Sequence, residues 1–173
     1  MNGKVVVSGI AAITALAGAA MYYLQVHAYF EPVEDTGASV QLTTYAGTVE
    51  PVLYGDFEAI DAESSPLRYR ACFTTDMSLA LLTETYEIYE RPTAPVTAGW
   101  FDCFDAAALD AALSDGSATA FLSQGHIEYG IDRIAAVFDD GRGMVWHQIN
   151  NCGKEHFDGN DVPADCPRPP QDN

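Results

Sequence analysis

"GIDRIAAVFDDGRGMVWHQI" (residues 130–149) holds two apolar runs on either side of "DDGRG" at 139–143. Two β-prone runs separated by an Asp-Gly turn make the strongest short-range signal for an antiparallel hairpin. The turn is rich in acid, but it lacks the acidic spacing and distal Glu of an EF-hand calcium loop, so it reads as a turn alone.

Working outward, the segments before the hairpin fit the same architecture. "SATAFLSQ" (117–124) reads as a further strand. Asp105 is a suitable N-cap for the alanine-rich helix "AAALDAALSDG", which stops near Gly116. "ERPTAPVTAG" (90–99), with two prolines and a glycine, is a loop. "DMSLALLTETYEIY" (76–89) opens as a helix with Asp76 as its cap, and its second half alternates as a strand does. "LRYRACFTT" (67–75) and "ASVQLTTY" (38–45) read as strands. "YGDFEAIDAESSP" between them is mixed, and a short helix ended by Pro66 is expected there. Residues 38–166 therefore make one small α+β domain, an antiparallel sheet with one or two short helices. The tail "CPRPPQDN" after that domain, 167–173, is Pro-rich and extended.

The N-terminus is of a different kind. Residues 5–30 contain no Asp, Glu, Lys or Arg. As a helix, these 26 residues reach about 39 Å, ample for a hydrocarbon core of about 30 Å. Residues 1–30 are therefore expected as a transmembrane anchor in the lipid bilayer, followed by a linker at 31–37 that contains Pro32 and Gly37. A cleaved secretory signal is the competing reading, since "ALAGAA" offers small residues. The apolar run continues through "MYYLQV" beyond that point, which favours a retained anchor. Lys4 stands on one side and Glu31, Glu34 and Asp35 on the other. The positive-inside bias then keeps the N-terminus cytoplasmic and exports residues 31–173. Tyr22, Tyr23, Tyr29 and Phe30 gather at the outer end, where aromatic rings favour the membrane interface.

The charge distribution sharpens this picture. The 173 residues carry a formal charge of −17. All 25 acids follow residue 30, against seven Lys and Arg there, so residues 31–173 carry −18. Nucleic acid is excluded as a partner, because binding its phosphates needs clustered cations. Flat docking on anionic lipid is likewise disfavoured. The acidity reads first as a means of keeping the domain soluble; the alternative is attraction to a basic soluble partner.

Export bears on the cysteines. "NCGKEHFDGNDVPADC" (151–166) contains Cys152 and Cys166, and Cys72 and Cys103 stand earlier. Outside the cytoplasm disulfides persist, and four cysteines allow three pairings. The short polar loop between Cys152 and Cys166 favours their union, which leaves Cys72 with Cys103. The alternative is a metal site of His147, Cys152, His156 and Cys166, but zinc-finger spacing is lacking. His27 and His126 are isolated. No nucleophile elbow, phosphate loop or metalloprotease motif occurs, so no catalytic residue, enzyme activity or cofactor is assigned.

"RYRACF" (68–73), "LTETY" (82–86), "GWFDCFDA" (99–106), "YGIDR" (129–133) and "WHQIN" (146–150) resemble an uncharacterised bacterial family of short proteins with one N-terminal span. The resemblance implies a bacterial inner membrane with the domain in the periplasm. Some members carry an automatic histidine-kinase label, which no ATP-binding signature in this chain supports. The expected function is that of a non-catalytic accessory or assembly subunit of a larger, energy-transducing membrane complex. The alternative is an exported module that binds or senses a metal or small ligand.

Overall fold

A computed structural model describes residues 3–170. Residues 1–2, at the start of the expected anchor, and 171–173, at the end of the expected tail, lie outside the described residues. Helix α1 (Gly3–Tyr23) continues into a wider π turn over Leu24–Ala28. Gly3–Ala28 is long and apolar enough to cross a membrane, and none of it is buried within the protein.

The domain is built on a six-stranded sheet in which every neighbour is antiparallel. Its strands are β1 (Glu31–Pro32), β4 (Gly55–Asp61), β5 (Arg70–Thr74), β6 (Ala118–Glu128), β7 (Ile131–Phe138) and β8 (Arg142–Ile149). Their spatial order is β1-β4-β5-β8-β7-β6. The 139–141 turn joins β7 to β8, with Ile131 opposite Ile149 and Val137 opposite Gly143. A small hairpin of β2 (Gln41–Thr43) and β3 (Val49–Pro51) stands apart from this sheet.

Both faces of the central strands are covered, so they read as nearly continuous apolar runs rather than alternating ones. On one face Tyr69, Ala71, Phe73, Ala135, Val137 and Val145 form a core with Val40, Leu42 and Val52 of the hairpin region. Helix α2 (Leu79–Thr85) adds Leu82 to it. On the other face Ile134, Ala136, Met144 and Trp146 pack against Phe101, Phe104 and Leu109. Leu109 belongs to helix α3 (Ala106–Asp115), which Asp105 caps through the N–H groups of Ala107 and Ala108. Residues 86–89 bridge outward on both sides, from β2 to β6, and so join the hairpin to the sheet edge.

The structure differs from expectation in four places. Residues 54–66 form no helix: Gly55–Asp61 is strand β4, and only Pro66–Arg68 makes a single 3-10 turn. Pairing with β5 decides this, because it places Ala59 in one core and Ile60 in the other. Helix α2 is capped by Ser78, which accepts from the Leu81 N–H, rather than by Asp76. The expected linker begins with two residues that extend the sheet as β1, opposite Asp61 and Ile60. Finally, "NCGKEHF" folds as helix α4 (Asn151–Phe157), capped by Asn150.

Helix α4 docks by backbone contact. Gly153 lies against the backbone of Gly130, whose φ of +74° suits the turn between β6 and β7. A Cβ on either residue would overlap the other's main chain. Similarly, a Cβ on Gly143 would fall inside the Phe73 ring. Gly153→Ala and Gly143→Ala are each expected to destabilise the protein by about 1–3 kcal/mol through overpacking. Thermal unfolding of the detergent-solubilised protein would measure this; an unchanged midpoint for both would contradict these close approaches.

Candidate functional site at the junction of anchor and domain

The cysteines are fully used. Cys72 on β5 is joined to Cys103 in the segment before α3, with Cα atoms 6.1 Å apart. Cys152 on α4 is joined to Cys166, with Cα atoms 5.7 Å apart. The first bridge ties the 90–104 loop to the sheet it covers, and the second closes the polar loop that follows α4. Each closure removes unfolded-state entropy of about 3–4 kcal/mol.

This chemistry corrects the metal alternative. Metal sites use thiolates, and neither Cys152 nor Cys166 retains one. His147 lies on β8 beneath Tyr69, whereas His156 lies on α4 against Tyr129, 5.0 Å between ring centroids. Among the described residues, no three His, Cys, Asp or Glu side chains are grouped to hold a metal ion.

His147 instead belongs to a buried polar stack. Arg133 lies directly across from it on β7 and donates from Nε to His147 Nε2, 3.0 Å away. An arginine can only donate, so Nε2 accepts and the imidazole proton sits on Nδ1. Nδ1 then donates to the Pro66 carbonyl at 2.6 Å. Tyr69 stacks on the imidazole at 4.7 Å, and the Arg133 guanidinium lies 4.7 Å from the Tyr69 ring. Both ring nitrogens are in use, so the neutral imidazole acts as a spacer that fixes the 3-10 turn to the sheet.

A second cluster is equally committed. Asp132 accepts from the His126 N–H, from Asn150 Nδ2 and from the Tyr89 hydroxyl. Burial, reinforced by that carboxylate, pushes the Tyr89 hydroxyl well above its ordinary pKa. Gln148 accepts from the Thr93 N–H and donates to the Arg91 carbonyl, which pins the start of the covering loop. These polar groups hold loops and helix ends in place.

The remaining group of polar and aromatic residues lies where the anchor meets the domain. The last four carbonyls of any helix lack partners within it. Here Trp100, from the covering loop, donates its indole N–H to the carbonyl of Val26. The His27 ring stacks between Tyr23 and Trp100, 5.7 Å from each. Phe30 meets Trp100 edge-on at 5.9 Å, and the Arg68 guanidinium sits 5.5 Å from the Phe30 ring centroid. Among the interface residues expected from sequence, Tyr23 and Phe30 join this clamp, Tyr22 lines the adjoining cavity, and Tyr29 points outward. Lys4 lies near the opposite end of α1. The sequence reading left His27 isolated and passed over Arg68 and Trp100, because 38 residues separate Phe30 from Arg68 and 74 separate Val26 from Trp100. The signal for Trp100 was its place three residues before Cys103 in a proline-rich loop.

Two outcomes follow. Burial, with the nearby Arg133 and Arg70 charges, pushes the His147 pKa down to about 4 against the opposing pull of the Pro66 carbonyl. The unfolded histidine binds a proton near pH 6.5, while the folded one does not until about pH 4. Stability from this group is therefore complete above pH 6.5 and is lost as pH falls toward 4, by about 3 kcal/mol. His147→Gln is expected to shrink the difference in unfolding free energy between pH 7 and pH 4 by about that amount; denaturant titrations at both pH values would detect it. Trp100→Ala would free the joint, and cleavage by chymotrypsin after Tyr29 or Phe30 should accelerate about tenfold. An unchanged cleavage rate would mean that the indole does not hold the anchor.

No curated protein and no solved structure matches the chain. Residues 40–167 match the model of a family of unknown function (DUF6446), a span that covers strands β2 to β8, both disulfides and the covering loop. The chain belongs to that family.

Proposed function

We propose that the protein is a single-span membrane protein acting as a non-catalytic accessory or assembly subunit of a larger membrane complex, an energy-transducing assembly being its setting. In this reading Lys4 stays on the cytoplasmic side of a bacterial inner membrane, and residues 31–173 lie in the periplasm. The location of all 25 acids beyond residue 30, and the two disulfides, support the export of the domain.

The observation that carries the subunit role is the docked anchor. A helix that merely tethers a domain is free to swivel on its linker. Here Trp100, His27, Phe30 and Arg68 fasten the helix end to the domain. Beyond that clamp Val5, Val7, Ile10, Ile13 and Leu16 are exposed along the helix. A fixed joint presents a helix surface within the membrane and an acidic surface outside it at one set angle. That arrangement suits a subunit that contacts larger partners in both phases. The acidic surface also suits a basic soluble partner.

The binding-module alternative loses its metal form with the oxidation of Cys152 and Cys166. In its ligand form it moves to the cavity beside the clamp.

Purification of the full-length protein from its native membranes in mild detergent, followed by salt washing and mass spectrometry, tests the subunit role. Retention of a stoichiometric set of larger membrane subunits is the expected result. Recovery of the protein alone would overturn it as a stable subunit.

A further inference from the structure

Cations are scarce in this chain, yet two of its eight Lys and Arg residues line one cavity. Arg68 ends the 3-10 turn and Arg70 opens β5. The cavity, about 410 Å³, is closed on one side by Tyr22, Gln25 and Phe30 from the end of the anchor, and on another by Thr97 of the covering loop.

The surroundings of Arg70 are unusual for a buried charge. The residue is 7 % exposed. Its Nη1 donates to the carbonyls of Leu67 and Tyr69 at 2.8 and 2.7 Å, and its Nη2 donates to that of Val96 at 2.9 Å. These carbonyls fix the guanidinium but bring no formal charge. Asp61 adds a favourable field without forming an ion pair with it. Among the described residues, Arg70 Nε and Thr97 Oγ1 are buried with no partner. Buried cations are ordinarily paired with an anion, and among the described residues none forms an ion pair with this one. Arg68, held over the Phe30 ring, adds a second positive charge at the same cavity.

Depth in the membrane points to the missing anion. About 20 helical residues cross a hydrocarbon core of about 30 Å, so an anchor that enters at Val5 leaves it at Leu24. Gln25 and Phe30 then stand at the level of the lipid headgroups, where phosphate is the abundant anion. Elsewhere the −18 domain repels such groups, which makes a two-arginine cavity at this level selective by contrast.

We propose that the cavity binds the phosphodiester of one phospholipid headgroup, with Arg68 and Arg70 supplying the charge and Gln25 and Thr97 the flanking hydrogen bonds. Planar guanidinium groups match phosphate oxygens in charge and geometry. The bound lipid completes the joint between anchor and domain. This inference rests on the membrane-spanning reading of Gly3–Ala28.

Native mass spectrometry of the full-length protein in detergent, titrated with phosphatidylglycerol, tests it. One lipid should be retained per chain, with diacylglycerol, which lacks the phosphate, binding at least about tenfold more weakly. Arg68→Gln should weaken phosphatidylglycerol binding by a similar factor, whereas Arg142→Gln, at the exposed hairpin turn, should not. Arg68 carries the test because it is only half-buried, so its replacement spares the fold that Arg70 helps to hold. Equal retention of the two lipids, or of phosphatidylglycerol by the Arg68→Gln variant, would overturn the proposal. Displacement of the lipid by millimolar inorganic phosphate would overturn the lipid as ligand in favour of a soluble phosphate. Failure of the protein to partition into membranes would overturn the reading beneath; partition without lipid selectivity would overturn this inference alone.

Discussion

Strands β5, β8 and β7 are buried on both faces, and this double burial sets the requirements that the rest of the domain meets. Ala71, Ala135 and Val145 point to one side, while Cys72, Ala136 and Met144 point to the other. Two separate covers are therefore needed, and the chain makes them by different means. One is regular, the β2–β3 hairpin with helix α2. The other combines helix α3 with the irregular 90–104 loop, which has little secondary structure of its own. Such a loop needs fastening, and it receives Gln148 at its start, Arg70 at the Val96 carbonyl and the Cys72–Cys103 bridge near its end. The same loop carries Trp100. The long apolar helix thus docks on the part of the domain that is most heavily fastened.

Charge is arranged with similar economy. The domain is strongly acidic, and three of its few cations are not placed as surface counter-ions. Among the described residues the ion pair found is the exposed one between Arg142 and Asp140. Arg133 is committed to His147 and Tyr69, while Arg68 and Arg70 face the anchor. Three of the seven cations after residue 30 therefore serve inside the fold and at the junction with the apolar helix, while Arg91, Arg142, Lys154 and Arg168 stand exposed among the acids.

Much of the architecture was legible locally. The Asp-Gly turn between Phe138 and Met144, the Asp105 cap and the charge-free run at 5–30 each act over a few residues, and each forms as its chemistry dictates. Strand β4 was harder to read, since "DFEAID" suits a helix as well as a strand until β5 lies beside it. Helix α4 was masked by a Gly that would weaken it if exposed, but which is needed where Gly153 meets Gly130. The junction was the least legible. Its members, at 22–30, 66–70 and 96–100, carry no shared motif and meet only because the sheet places Arg70 beside the covering loop. The histidines were misleading for a related reason: His147 is next to the cysteine-rich segment in sequence, but on β8 it stacks on Tyr69, while His156 lies on α4 against Tyr129.

The clamp at Trp100 makes the long apolar helix a lever. A membrane helix tilts to match its apolar length to the bilayer around it, and the tilt changes with bilayer thickness. Where a flexible linker follows such a helix, the tilt ends at the membrane surface. Here β1 begins three residues after the π turn, and an indole and two stacked rings close the hinge. Were this helix to span a bilayer, any tilt would become a rotation of the whole acidic domain relative to the membrane plane, so that bilayer thickness would set which part of that surface is presented.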